Sequence, residues 1–488
     1  MTIRFGAGAP TPADIAAIAD GERVELTAEA LEALAASRTV VERAIASGEP
    51  VYGLNRRLGA GRDDAVDPEE FDAFQRRTIA NHRGGIGDPL PVAEARAVVA
   101  ARLAGFTRGG AGVRPELAEA YAALLNAGIT PVIPSRGSVG AADLTVLAEV
   151  AAVVTGEGLV IGPDGEELPA AEALATAGLS PLALAPHEAL AALSSNAYSI
   201  GVGALALRDA AALAEAADRA VALSLEAVAA TGPAGNPSPY GEVVTEARGG
   251  AGQRASAAAI RAALAGGRVL ASSRETTVQD PLAFRTAPQL HGALREAVDR
   301  LRAELELELA ARSENPVVDV PSGAMVSGGN FQALPLALAF EALRLALAHV
   351  ASAAERRTAA LSLALAPARA AGRTTVPGLL LYTAASDTAE LKQLAVPVTL
   401  GSTTLSGVED HASFAAPALR LAQRSLALTR DVLAIEALHA VDLLGTADAG
   451  AASPTGAGTG PLAAAIRVSA NTRTPAARLV SEVGRLLG

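Results

Sequence analysis

Apolar residues recur every three or four positions through most of the second half of the chain. Between 288 and 310, Leu290, Leu294, Val298, Leu301 and Leu305 fall on one helical stripe, and Pro288 suits a first turn. The stretches 196–230, 335–365 and 411–444 have the same character. Several long helices of this kind predict a bundle that continues into an oligomer. Earlier in the chain the pattern is more broken. It predicts a helix over 27–47 with Thr27 as cap, and helices over 92–104, 115–127 and 141–155. Gly162-Pro163-Asp164-Gly165 marks a hairpin over 157–168, short β-like pieces precede residue 60, and 446–460 reads as a mobile loop. The expected fold is therefore all-α. A smaller mixed N-terminal region, 1–187, precedes a long-helix bundle with C-terminal helices, 188–488.

Composition narrows the function. Half of the 488 residues are apolar but only 3% are aromatic, so Ala, Leu and Val must build the core. A formal net charge of -12 without a basic tract argues against nucleic acid or an anionic membrane as partner. Cysteine is absent, which excludes disulfides and thiolate metal sites. Met1-Thr2-Ile3-Arg4-Phe5 lacks the apolar core of a signal peptide. The apolar stretches 199–231 and 334–353 carry Arg208, Asp209, Glu341 and Arg344, which suits buried helices better than membrane spans. A cytoplasmic protein is expected. His187, His291, His349 and His439 lie in helical patterns without metal-ligand spacing, and no phosphate-binding loop or dinucleotide glycine set is present. No metal or other cofactor is expected.

Four blocks carry a resemblance. They are Val51-Tyr52-Gly53-Leu54-Asn55; Asn81-His82-Arg83-Gly84-Gly85-Ile86-Gly87-Asp88-Pro89-Leu90; and Gly112-Val113-Arg114-Pro115 through Leu124-Leu125-Asn126-Ala127-Gly128 to Gly137-Ser138-Val139-Gly140-Ala141. The fourth is a downstream set: Val278-Gln279-Asp280-Pro281, Arg285, Ser313-Glu314-Asn315-Pro316, Ser327-Gly328-Gly329-Asn330-Phe331 and Glu409-Asp410-His411. In order and spacing these resemble the histidine/phenylalanine ammonia-lyase superfamily. The resemblance implies a central helical bundle of the ammonia-lyase/fumarase type. It also implies a homotetramer whose active sites each draw on three chains.

One departure bears on the chemistry. The family's G-S-V-G-A-S-G-D-L reads Gly137-Ser138-Val139-Gly140-Ala141-Ala142-Asp143-Leu144 here. Ala142-Asp143 stands where Ser-Gly-Asp belongs. The family's 4-methylidene-imidazol-5-one needs that serine as its methylidene carbon and that glycine for close approach. Ser138 is followed by Val139, a β-branched residue and a poor cyclising partner. The family's second catalytic tyrosine is Leu282, and Ser194 stands at the family's asparagine, with Asn196 nearby as a substitute.

The family roles then fall on individual residues. Tyr52 follows the catalytic tyrosine, a general base if its phenol pKa is lowered; a packed tyrosine is the plain alternative. Arg285 matches the carboxylate-binding arginine and Asn315 its companion, against a structural ion pair. Asn55, Gln279 and Phe331 match other substrate-binding positions. His82 and Glu409 match positions that contact the substrate side chain or relay protons. The alternatives are a turn histidine and an N-terminal helix cap. Lys392, the one lysine among 40 basic residues, aligns with a family lysine, or is a solvated survivor. A helix opening near Ala141 would point its N-terminus at the site.

Ammonia is a poor leaving group, which the electrophile remedies. Without it, elimination still runs when the leaving group is already good, as trimethylamine is. Ergothionase, a relative that eliminates trimethylamine from a histidine betaine, works on this logic. The expected activity is a carbon–nitrogen lyase of ergothionase-like type on a small amino-acid- or betaine-like substrate. The alternatives are a cyclase or isomerase of secondary metabolism that reuses the pocket, and a non-catalytic homologue.

Overall fold

A computed structural model describes residues 2–6, 8–401, 408–447, 454–470 and 474–488. These residues are mostly helical, and the longest helices are Ala197–Thr231, Ala287–Ala310, Leu334–Ala364 and Ala415–Ala447. The last starts at Ala415 rather than 411. Ser413 sets that start, its Oγ accepting the Ala415 N–H at 3.2 Å. The helix expected from 141 begins at Leu144. Ala142 has φ 60, a left-handed value through which a right-handed helix cannot run back. Most of the loop expected over 446–460 lies outside the described residues or in the helices Ala415–Ala447 and Thr459–Ala470.

Strands are short. Thr2–Phe5 pairs in parallel with Arg23–Leu26. Leu159–Ile161 and Glu167–Pro169 form the hairpin expected around Gly165, and Val317–Asp319 pairs antiparallel with Ala324–Val326.

The chain groups into two compact units, each of three segments. One holds Met1–Arg208, Leu301–Phe340 and Val398–Arg420; the other holds Asp209–Arg300, Glu341–Pro397 and Leu421–Gly488. The boundary expected after residue 187 falls inside the first unit. Where the chain changes from mixed to long-helix character, its packing partners do not change.

Each unit fixes its helices with buried or half-buried arginines paired to buried glutamates. In the first, Arg102 is wholly buried and donates to Glu314 Oε1 at 3.1 Å. Arg114 meets Glu188 through Nε at 3.0 Å and Nη2 at 2.9 Å. In the second, Arg357 grips Glu436 at 2.6 and 2.8 Å, and Ser224 donates to the same carboxylate at 2.6 Å. Both partners of that pair are fully buried, so removing one would leave a charge in a dry core.

Two helical spans are long and apolar enough, by composition, to cross a bilayer: Glu188–Thr231 and Leu334–Ala364. The most apolar window of the first is 100% buried inside the chain and that of the second 61%. Leu338, Leu345 and Leu363 of the second remain exposed.

Candidate active site

Val51 to Arg56 folds as a tight turn. The N–H groups of Leu54, Asn55 and Arg56 all reach Val51 O, at 3.2, 3.2 and 3.1 Å. Gly53 has φ 71, and a Cβ there would lie 2.1 Å from Leu190 Cδ2, so no larger residue fits. Asn55 closes the turn: its Oδ1 accepts Val51 N–H at 2.8 Å and its Nδ2 donates to Glu49 O at 2.8 Å. Both polar ends of Asn55 are therefore spent on backbone, and the structure gives it a turn-forming role rather than a free substrate-binding amide.

The turn presents the Tyr52 phenol, whose oxygen accepts the Gly59 N–H at 3.0 Å. Glu409 Oε1 stands 3.9 Å from where a Cβ on Gly59 would lie. Tyr52 and Glu409 thus face one another across Gly59 within a single chain. The sequence reading asked for a lowered phenol pKa, and the structure corrects it. Burial raises the Tyr52 pKa and the Glu409 charge adds to that, outweighing the Gly59 N–H and Arg62, which pull it down.

The loop at the family's electrophile position is pinned on every side. Ser138 Oγ donates to Asp143 Oδ1 at 2.5 Å and accepts the Gly140 N–H at 3.1 Å. Phe414 N–H reaches Val139 O at 2.9 Å, and Ser413 Oγ donates to Gly140 O at 2.7 Å. Asp143 N–H donates to Ser195 O at 2.7 Å, and its Oδ2 accepts the Ser199 N–H at 2.9 Å in the first turn of Ala197–Thr231. Asp143 so caps that helix, although burial raises its pKa against those hydrogen bonds. Glu308, beside Asp143 and Glu304, is pushed up to about 7, chiefly by burial. Ala141 pairs by an isolated bridge with Gln332.

Around this loop sit further expected residues. Asn196 donates through Nδ2 to Phe331 O at 2.9 Å, while its Oδ1 is buried without a partner. Ser194, at the family's asparagine, accepts the Asn315 N–H at 3.0 Å through Oγ. Asn315 Oδ1 in turn accepts the Gly328 N–H at 3.0 Å. His82 ends the helix Phe71–His82 with Nδ1 2.6 Å from Thr78 O, the geometry of a turn histidine.

The second unit holds the remaining expected residues. A cavity of about 380 Å³ is lined by Gln279, Asp280, Leu282, Arg285 and Gln289, among others. Asp280 anchors it, accepting N–H groups from Gly235 at 3.0 Å and Asn236 at 2.6 Å. Arg285 ends the short helix Leu282–Arg285, and its buried Nε has no partner. Leu282 leaves an apolar rim at the position of the family's tyrosine. Lys392 lies in the last turn of Leu380–Leu394 and is exposed, so the burial considered for it is not met within one chain.

One pair escaped the sequence reading. Gln332 Nε2 lies 3.0 Å from His411 Nδ1, and Gln332 Oε1 is buried without a partner. Nothing local in the sequence signals a contact between residues so far apart. The helix-cap alternative for Glu409-Asp410-His411 also falls, because Ser413 makes the cap.

The chain is similar in sequence and fold to known proteins. Residues 11–468 match the model of the aromatic amino acid lyase family. The histidine ammonia-lyase of Anaeromyxobacter dehalogenans is 38% identical over 448 residues, 88% of this chain and 87% of that protein. The crystal structure of the ergothioneine-degrading enzyme ergothionase from Treponema denticola, in complex with desmethyl-ergothioneine sulfonic acid, is similar with a TM-score of 0.91. It is 27% identical and covers 100% of this chain and 98% of its own. Tyrosine aminomutase from Streptomyces globisporus gives a TM-score of 0.89 at 27% identity, covering 100% and 97%. The all-α ammonia-lyase fold expected from the motifs is the fold of this chain.

Proposed function

The chain belongs to the aromatic amino acid lyase family, and on that premise we propose that it performs a 1,2-elimination without the family's prosthetic group, on an amino-acid- or betaine-like substrate. One observation carries the reading. Ala142 occupies the serine position of the electrophile loop with φ 60, followed directly by Asp143, which is consumed in capping a helix. The residues present do not fit 4-methylidene-imidazol-5-one: no serine is there to lose its hydroxyl as water and leave Cβ as the methylidene carbon, and no glycine nitrogen to close the ring. The likeness to ergothionase, an ergothioneine-degrading enzyme, supports a betaine substrate.

The chemistry then depends on the leaving group. A quaternary ammonium leaves as a neutral amine and needs no electrophile. Tyr52 takes the β-proton, the C–H electron pair becomes the new carbon–carbon π bond, and the carbon–nitrogen pair departs with trimethylamine. The free protein holds the Tyr52 phenol protonated. A cationic substrate beside it favours the phenolate, so substrate and base activate each other. Arg285, with an unpartnered Nε in an open cavity, takes the substrate carboxylate. Gln279 and Asn315 line the site, and Phe331 supplies its apolar wall. His82 and Lys392 have no assigned step.

The complete site forms in a homotetramer that brings Arg285 of one chain to Tyr52 and Glu409 of another. Exposed Val278 and Leu282 beside Arg285, and Leu338, Leu345 and Leu363 on the long helix, support burial against other copies. A panel of amino acids and their trimethylated betaines, assayed for free amine and for an unsaturated acid, tests the reading. Amine release from betaines alone supports it. Ammonia release from the free amino acids contradicts it.

A further inference from the structure

We propose that the cavity between the helix Phe71–His82 and the segment 181–184 is a second ligand site, separate from the Tyr52 turn, for a small zwitterion: an α-amino acid with an aliphatic side chain. The proposal does not depend on which reaction the Tyr52 site performs.

The helix supplies one wall. Asp72, Gln75, Arg76 and Ile79 fall at the spacing that shares a helical face, and all of them line a cavity of about 280 Å³. Opposite stand Thr155 and Glu157, just past the helix Leu144–Val154, with Leu182 and Leu184. These walls are held from behind. Leu182 N–H reaches Val154 O at 3.0 Å. Gly156 has φ 80, and a Cβ there would lie 2.8 Å from Pro181 Cγ, so glycine is what lets the two segments meet this closely. The cavity is thus shaped before any ligand arrives, and it is of metabolite rather than drug size.

Its polar groups are left open. Gln75 is only 2% exposed. Its Oε1 accepts the Ala189 N–H at 2.8 Å, which leaves Nε2 as a buried donor without a partner. Asp72 and Arg76 are one helical turn apart and placed to pair, yet they do not. Neither has an ion-pair partner among the described residues, and nor does Glu157. Thr155 donates its hydroxyl proton to Ala152 O at 3.0 Å, so its oxygen is left to accept.

The chemistry of recognition follows. Gln75 Nε2 and Arg76 offer N–H groups and suit a carboxylate. Thr155 Oγ1 and the Asp72 and Glu157 carboxylates offer acceptors and suit an ammonium. Ile79, Leu182 and Leu184 take an apolar side chain. A lone anion such as phosphate would face two carboxylates, and a lone cation would leave Gln75 and Arg76 unmet. A molecule that carries both charges on one carbon satisfies both sets.

The test uses L-leucine as probe and the full-length Arg285→Ala protein as parent, so that carboxylate binding at the proposed catalytic site is removed. Calorimetry measures the affinity, and hydrogen–deuterium exchange locates the site. Leucine should bind saturably at millimolar concentration or below, and should slow exchange in peptides from 71–82 and 181–189. 4-Methylpentanoate, which lacks the ammonium, and 3-methylbutylamine, which lacks the carboxylate, should each bind about tenfold more weakly. Arg76→Ala should weaken leucine about tenfold, and so should Gln75→Glu, which keeps the acceptor for Ala189 and turns the donor into a carboxylate. Circular dichroism checks that each variant folds, and Arg76 is exposed, so its loss leaves the core intact. The proposal is overturned if leucine does not saturate, if both variants bind it as the parent does, or if either single-charge analogue binds as well. Betaine turnover by the wild type, present or absent, bears on the elimination reading alone.

Discussion

Ser138 Oγ lies 2.5 Å from Asp143 Oδ1, so the residues on either side of the degenerate electrophile loop are joined to each other. The same carboxylate receives the Ser199 N–H at 2.9 Å. The loop is therefore a strut between two helices.

Asp143→Ala should destabilise the protein by about 2–4 kcal/mol, because it leaves the buried Ser138 hydroxyl and Ser199 N–H unpaired. Asp143→Asn, which keeps one acceptor, should cost less. Chemical denaturation without substrate measures both. An Asp143→Ala variant within about 1 kcal/mol of wild type would mean that the strut carries no load.

Tyr52→Phe should slow turnover by about 10²-fold or more, the scale of a lost general base. The pH profile gives a second check. Burial and Glu409 raise the Tyr52 pKa above its ordinary 10.0 in the free protein. Turnover per free enzyme should thus climb through the alkaline range with no plateau near neutrality. A plateau there that survives Tyr52→Phe would assign the base elsewhere.

Arg285→Ala should chiefly weaken substrate binding, by about 2–4 kcal/mol if a carboxylate is left unpaired in the closed site. Arg285→Lys should recover part of it, since an ammonium lacks the two-pronged geometry. Equal KM with a lower kcat would place Arg285 in the chemical step instead.

Acid should destabilise the first unit through His187. Burial, with Arg38 nearby, lowers its pKa from 6.5 to about 4. Between those values the unfolded chain binds the proton and the folded chain does not. The stability contribution is full above pH 6.5 and is lost as pH falls through about 4. His187→Asn, which tolerates the left-handed φ of 79 at this position, should flatten that limb of a stability-versus-pH curve. An unchanged limb would trace acid sensitivity to another group.

Much of this fold was legible because its signals are local. The stripe Leu290, Leu294, Val298, Leu301 and Leu305 needs only the helical period, and the helix observed there is Ala287–Ala310. The electrophile loop was legible as a missing residue, but its strut was not: Ser199 meets Asp143 only through the packing of separate helices. Tyr52 stands out by motif alone, while the direction of its pKa depends on burial and on Glu409, both set by the fold. Asn55 held a readable clue, since an asparagine four residues after Val51 can close a turn on it, as it does here at 2.8 Å. The contact of Gln332 with His411 had no local pattern to betray it.

The claim at the centre of this account is that leaving-group quality replaces the lost electrophile. The measurement that bears on it most directly is amine release from histidine betaine and from histidine, side by side, by one preparation whose 137–148 peptide is weighed. The account predicts trimethylamine and a conjugated acrylate from the betaine, no ammonia from histidine, and a peptide of unmodified mass. Ammonia from histidine, with the peptide lighter by two waters, would contradict it.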